Sequence, residues 1–262
     1  FLTAYYFCEN GVFDINKLNL IEDYPNKQFF KEKVKQGEIH KHWETSQKDI
    51  CDQKKVKFLK THNSLITAFG NDFTKPKYSL GVIYIIRDPR NVITSVKNHN
   101  DLDSYDEALK FMQDENKVLE DYPYLNNYAK TNIVNSWRIN YKSWLSNKSF
   151  RRVTIKYEDM VKNPTQTFEK LVVFVNTLMK FDNKIDQKKL KNAIDSTNFK
   201  SLQNIENAGK FGENVYSLKD NRKIKFFYQG PENDWKKNLN ESMIKKMNEY
   251  YKNDLKFFQY EN

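Results

Sequence analysis

Apolar positions along the chain fall into short continuous runs and longer helically spaced stripes. VKFLK at 56–60, SLGVIYII at 79–86 and RRVTIKY at 151–157 have the unalternating, β-branched character of strands covered on both faces of a parallel sheet. FFKEKVKQ and EIHKHWETSQKDI, within 27–53, predict two polar helices. RDPRNVITSVKNH follows the second strand directly: Asp88 can cap, Pro89 suits a first helical turn, and Val92, Ser95 and Val96 share a helical face. Ser104 and Glu107 form a capping box ahead of Leu109 and Met112, and VNSWRINYKSWL at 134–145 is amphipathic. Asn163-Pro164 marks a helix restart, KKLKNAIDST and NFKSLQNIENA predict short helices, 210–235 a long loop, and ESMIKKMNEYYKNDLKFF a closing helix. The opening FLTAYYFCENGVF reads as a buried aromatic helix. Strands separated by helices predict an α/β fold with a central parallel sheet flanked by helices.

Composition narrows this picture. No repeat or low-complexity linker divides the 262 residues, and 39% hydrophobic content is enough for one core, so residues 1–262 are taken as a single domain. Lys+Arg 44 against Asp+Glu 34 gives a net charge of +10, which favours anionic partners. The lysines form no stripe with interleaved aromatics, which argues against nucleic acid. Cys8 and Cys51 are too few for a disulfide framework or zinc cluster, so the expected setting is the reducing cytoplasm. No run approaches the length of a membrane span, and the opening lacks the basic start of a signal peptide.

Two strand ends carry polar groups that a buried strand does not need. Ligands in open α/β sheets bind beyond the carboxyl ends of strands, which puts Lys60-Thr61-His62 and Arg87-Asp88-Pro89-Arg90 on the expected rim. Arg87 sits at a helix start, where a guanidinium fork and free N–H groups suit phosphate; Ser95, two turns on, can offer its hydroxyl to the same anion. The bland alternative is an Arg paired with a carboxylate and a capping Ser. Lys60 and His62 alternate in an extended segment, so both can face one way, with His62 accepting a proton and Lys60 steadying charge on a leaving oxygen. Alternatively, KTH is a strand end with a satisfied histidine. His40 and His42 read as exposed on a polar helix and His99 as a helix C-terminal cation, with no metal-ligand spacing.

FLKTH, YIIRDPRNVITSVKNH, IKYEDMVKNPTQTFEKL, STNFKSLQNIE and GPENDWKKNL resemble, in order, the signature segments of the PAPS-dependent sulfotransferase family, particularly bacterial members, over about residues 56–240. The resemblance implies a fold similar to that of P-loop nucleotide kinases. It also implies transfer of a sulfuryl group from PAPS to a hydroxyl or amine of a small acceptor, leaving adenosine 3′,5′-bisphosphate (PAP), without a metal. It assigns Arg87 and Ser95 to the 3′-phosphate, Tyr157 and Phe199 to the adenine, His62 as catalytic base and Lys60 as a cation at the transferring group. Two departures stand out. The family's 5′-phosphosulfate loop, Pro-Lys-Ser-Gly-Asn/Thr-Thr-Trp, occurs nowhere in these residues, so the resemblance implies a domain lacking its N-terminal strand and that loop, nearly inactive as it stands. Where members usually have Arg-Lys-Gly in the late loop, this chain has Tyr228, Gln229 and Gly230, with Arg222, Lys223 and Lys225 as candidate replacement cations. The rival readings are a kinase-like phosphotransferase, against which no GxxxxGK[ST] occurs, and a nucleotide-binding protein without catalysis.

Overall fold

The computed structural model describes residues 1–121, 127–213, 215–217 and 219–260. Along the chain run helix α1 (Leu2–Phe7), strand β1 (Ile21–Asp23), α2 (Trp43–Asp52), β2 (Phe58–Lys60), the small hairpin β3 (Thr67–Ala68) and β4 (Asn71–Asp72), then β5 (Val82–Ile86), α3 (Pro89–His99) and α4 (Tyr105–Gln113). Next come β6 (Val118–Asp121), β7 (Asn127–Ile133), α5 (Trp137–Ser146), β8 (Arg152–Lys156), α6 (Tyr157–Lys162) and α7 (Pro164–Met179). The last part comprises α8 (Gln187–Ser196), α9 (Phe199–Asn207), β9 (Val215–Tyr216), β10 (Lys223–Ile224), α10 (Trp235–Asn238), α11 (Glu241–Tyr250) and α12 (Lys252–Phe258).

The three strands anticipated from apolar runs are present, and parallel pairing decides what their ends hold. β1 lies parallel to β2 with Asp23 beside Lys60, and β5 lies parallel to β8 with Ile86 beside Lys156. Because the strands are in register at their carboxyl ends, the next residues out, Arg87 and Tyr157, leave side by side. Among the described residues the parallel strands form two pairs, and the other pairings are antiparallel ladders joining β3 to β4, β6 to β7 and β9 to β10. Those ladders follow no alternating apolar pattern and were not anticipated.

α3 begins as the sequence predicts, with the Asp88 carboxylate accepting from the Arg90 N–H at 2.9 Å and Pro89 in the first turn. Its inner face, through Ile93, packs on Met112, Trp235, Met243, Met247 and Leu255. α7 covers β8 through Leu171 and Val175 on Val153 and Ile155. Two expectations fail. Residues 27–36 hold a single 3-10 turn at Lys27–Phe29 instead of a helix, Phe29 and Phe30 being drawn onto the buried ring of Tyr24. The closing helix is two, α11 and α12, because Tyr251 at the junction is wholly buried against Trp137 while Asp254 turns inward to Arg138 and Tyr141.

Candidate active site

Arg87 is fixed from two directions. Its guanidinium carbon lies 4.1 Å from the centre of the Tyr157 ring, the stacking that the register of β5 and β8 produces, and one terminal nitrogen donates to the Gly230 carbonyl at 2.7 Å. Its Nε is buried and has no partner, a donor left available on a cation that cannot shed its charge. Burial pulls the Arg87 pKa below its ordinary value, while Tyr157, Glu158, Asp88 and Tyr260 act the other way. Gly230 also touches Phe199: a Cβ built on it would come within 2.2 Å of that ring, and its backbone has φ +54°. Arg87, Tyr157, Gly230 and Phe199 therefore form one continuous cradle assembled from β5, α6, the late loop and α9. Ser95 lies two turns along α3, exposed, its hydroxyl without a hydrogen-bond partner among the described residues.

The RDPR turn itself is held by groups that do not face a ligand. Arg90 is completely buried, makes a bidentate pair with Asp88 (2.8 Å at the closest), donates to Asn248 at 3.1 Å and stacks over Trp235 at 4.1 Å. Of the two arginines in the motif, only Arg87 points at the cradle. Asn91 ties the late loop to α3 by accepting the Trp235 N–H and, through its carbonyl, the Asn233 amide.

Lys60 and His62 lie on one segment at the end of β2. The Lys60 ammonium sits 3.4 Å from Asp23 and 3.5 Å from Glu213, long and partly exposed contacts that bind it loosely. His62 is open at its surface, yet the protein crowded around it lowers its pKa below the ordinary 6.5, and the Lys60 cation pushes the same way against Asp23 and Glu213. The imidazole is thus neutral at pH 7 and able to accept a proton. Its backbone is anchored from both sides: the His62 carbonyl accepts from Asn140, and fully buried Asn63 and Ser64 bond to Ile133, Asn132 and Val134 and, through the Asn63 carbonyl, to Trp144. The segment that follows β2 is thereby fastened to β7 and α5.

A sulfotransferase-domain family profile matches residues 8–259. The chain belongs to the sulfotransferase family. Its activity is sulfuryl transfer with PAPS as co-substrate, on an α/β sulfotransferase fold, which sets aside the phosphotransferase reading. Among solved structures it resembles mouse sulfotransferase SULT7A1 complexed with PAP, at 18% identity and a TM-score of 0.50, over 78% of this chain and 69% of that one. It also resembles retinol dehydratase in complex with androsterone and PAP, at 17% identity and a TM-score of 0.50, over 77% of this chain and 54% of that one.

Several features of this sulfotransferase differ from the sequence reading. His40 is buried, not exposed, packed on Trp43 and Phe69 with its pKa lowered first by burial; His42 is half-buried against Phe30. The extended 27–36 segment brings Phe30 onto His42. His99 closes α3, as the sequence predicts, and is exposed at its surface, yet the protein crowded around it lowers its pKa, with Glu213 opposing and Lys60 adding to the shift, which places it near the His62 group. Arg222 is turned away from the cradle toward Asp101 (2.8 Å) and Asp220 (3.4 Å), while Lys223 and Lys225 are exposed. Glu206, buried in α9, accepts the Phe226 and Phe227 N–H groups at 2.7 and 2.9 Å and so holds the late loop. Sequence reasoning missed Asn63, Ser64, Asn91, Glu158 and Glu206. Their side chains serve backbone groups distant in sequence, a role that leaves no spacing to recognise. Among the described residues no group of His, Cys, Asp and Glu is arranged to hold a metal, and no helix is long and apolar enough to cross a membrane.

Proposed function

We propose that the chain transfers the sulfuryl group of PAPS to a hydroxyl or amine of a small acceptor, in the cytoplasm, with residues in the following roles. Arg87 and Ser95 hold the 3′-phosphate, and Tyr157, Phe199 and Gly230 line the adenosine. His62 takes the proton from the acceptor as its oxygen or nitrogen bonds to sulfur, and the bond from sulfur to the 5′-phosphate oxygen breaks. Lys60, leaving its loose carboxylate contacts, steadies the charge that arrives on that oxygen. Retinol dehydratase, whose structure holds androsterone beside PAP, supports a small-molecule acceptor over a nucleic acid.

The observation that carries this reading is Arg87: a half-buried guanidinium pinned by Tyr157 and Gly230, with its buried Nε unpartnered. An arginine with a purely structural role satisfies its donors, as Arg90 does. Calorimetry with PAP and AMP tests it. Arg87→Ala is expected to weaken PAP by about 2–4 kcal/mol, the scale of losing one partner of a charged hydrogen-bonded pair, and AMP much less. Equal losses for both nucleotides would make Arg87 structural.

A further inference from the structure

Three buried polar atoms without partners cluster at the start of α6: Arg87 Nε, one carboxylate oxygen of Glu158 and the hydroxyl of Tyr260. The first belongs to the donor cradle. The other two belong to no role assigned so far, and a buried polar atom without a partner is uncommon enough to require a reason.

Glu158 is half engaged. Its Oε1 accepts the N–H of Asp88 at 3.0 Å, and that N–H belongs to the peptide joining Arg87 to Asp88. The first two residues of α6 thus grip the same point twice, Tyr157 beneath the Arg87 guanidinium and Glu158 on the peptide that carries it. Rotation of that peptide would re-aim the guanidinium. Its other oxygen, Oε2, is buried beside the Tyr260 hydroxyl, which burial first, and then Glu158 and Asp88, hold strongly against ionisation. A small rotation of the hydroxyl hydrogen makes the bond. Tyr260 is itself held in place from the C-terminal side: Gln259 adopts a left-handed conformation (φ 54°), the Tyr260 N–H returns to the Leu255 carbonyl at 2.9 Å, and Lys156 lies over the Tyr260 ring at 5.2 Å while donating to the Phe258 carbonyl.

From this arrangement we infer that Glu158 and Tyr260 are a positioning pair for the 3′-phosphate site, Tyr260 donating to Glu158 so that the carboxylate can hold the Arg87–Asp88 peptide without presenting a bare negative charge to the bound nucleotide. The inference rests on the reading of Arg87 as the 3′-phosphate ligand. Glu158 is bonded to the backbone at that ligand and, unlike Asp88, has no arginine paired to it among the described residues, so an unshared charge there would repel the phosphate that Arg87 attracts. Tyr260 eases the conflict: its hydroxyl, donating to Oε2, disperses the charge that the carboxylate keeps. The C-terminal segment beyond α12 is in this way part of the donor site.

Calorimetry on the full chain with PAP and AMP decides between outcomes. Tyr260→Phe is expected to weaken PAP about three- to tenfold, the net worth of one typical hydrogen bond, and to leave AMP within twofold. Adding Glu158→Gln to Tyr260→Phe is expected to restore PAP affinity, because the amide oxygen still accepts the Asp88 N–H and carries no charge. A structural role alone would lower the melting temperature, affect both nucleotides alike and show no such rescue. Unchanged PAP affinity in Tyr260→Phe, or equal loss for PAP and AMP, overturns the inference. A wild-type chain that binds neither nucleotide overturns the donor-site reading and the inference with it.

Discussion

Arg87 and Arg90 stand three positions apart in one motif and do opposite things, and the difference is whether the guanidinium's donors are satisfied. Arg90 spends its donors on Asp88 and Asn248, whereas Arg87 keeps Nε in reserve. Sequence alone identified Arg87 but not the Gly230 carbonyl that pins it, since the two are far apart along the chain and nothing in their types announces the bond. Gly230 itself was identified only through the resemblance, and the structure supplies its reason: φ +54° and a Phe199 ring where a Cβ would go. Gly230→Ala is therefore expected to cost about 1–3 kcal/mol of backbone strain, plus displacement of Phe199, read as weakened PAP binding with little change in the melting of the core. For His62 the expectation concerns pH. Its folded pKa is lowered, so the neutral base persists as pH falls through 6.5 and is lost only below that. An NMR titration should place its midpoint under 6.5, and Lys60→Met, which removes the second largest cause of the lowering, should move it upward. A midpoint at or above 6.5 in the wild-type chain contradicts the electrostatic account of the site.

At the level of elements, helix starts were the most legible features, because caps are local: Asp88 and Ser104, both read as caps, each accept an N–H of the first turn they precede, and the structure adds Ser136 and Asn198. The antiparallel ladders were not legible, being short and set by tertiary contacts rather than by alternating apolar positions. The break between α11 and α12 was hidden for a similar reason, since only the surroundings of Tyr251 and Asp254 show that the polar side of the helix must turn inward. The junction of α3 with the late loop is where element packing bears on the site. Arg90 is its centre, joined to Asp88, Asn248 and Trp235. Arg90→Ala leaves the Asp88 carboxylate buried without its cation and is expected to lower stability by about 3–5 kcal/mol, measured by urea unfolding. A loss below about 1 kcal/mol, the range of surface ion pairs, would mean that the pair contributes little.

Over the whole molecule, the net charge of +10 says little about where anions bind. Of its cations, the fixed and inward-facing Arg87 and the loosely held Lys60 carry the proposal, and Arg222, attractive on the sequence alone, is spent on Asp101 and Asp220. The two parallel pairs do the positioning: β1 and β2 end on Asp23 and Lys60, β5 and β8 lead out to Arg87 and Tyr157. β2, β5 and β8 were readable from apolar runs and β1 was not, and the meeting of their ends follows from register, which short strands leave unspecified in sequence. The account's central claim is that this scaffold separates chemistry at His62 from nucleotide capture at Arg87. It is tested most directly by His62→Ala in PAPS-dependent transfer of labelled sulfate, with PAP affinity measured on the same protein. The assay uses the full-length protein. The account predicts a fall in kcat of about 10²–10⁴-fold, the worth of a general base, with PAP affinity within a few-fold of wild type; a near-normal kcat, or a loss of PAP binding that accounts for the lost rate, would contradict it.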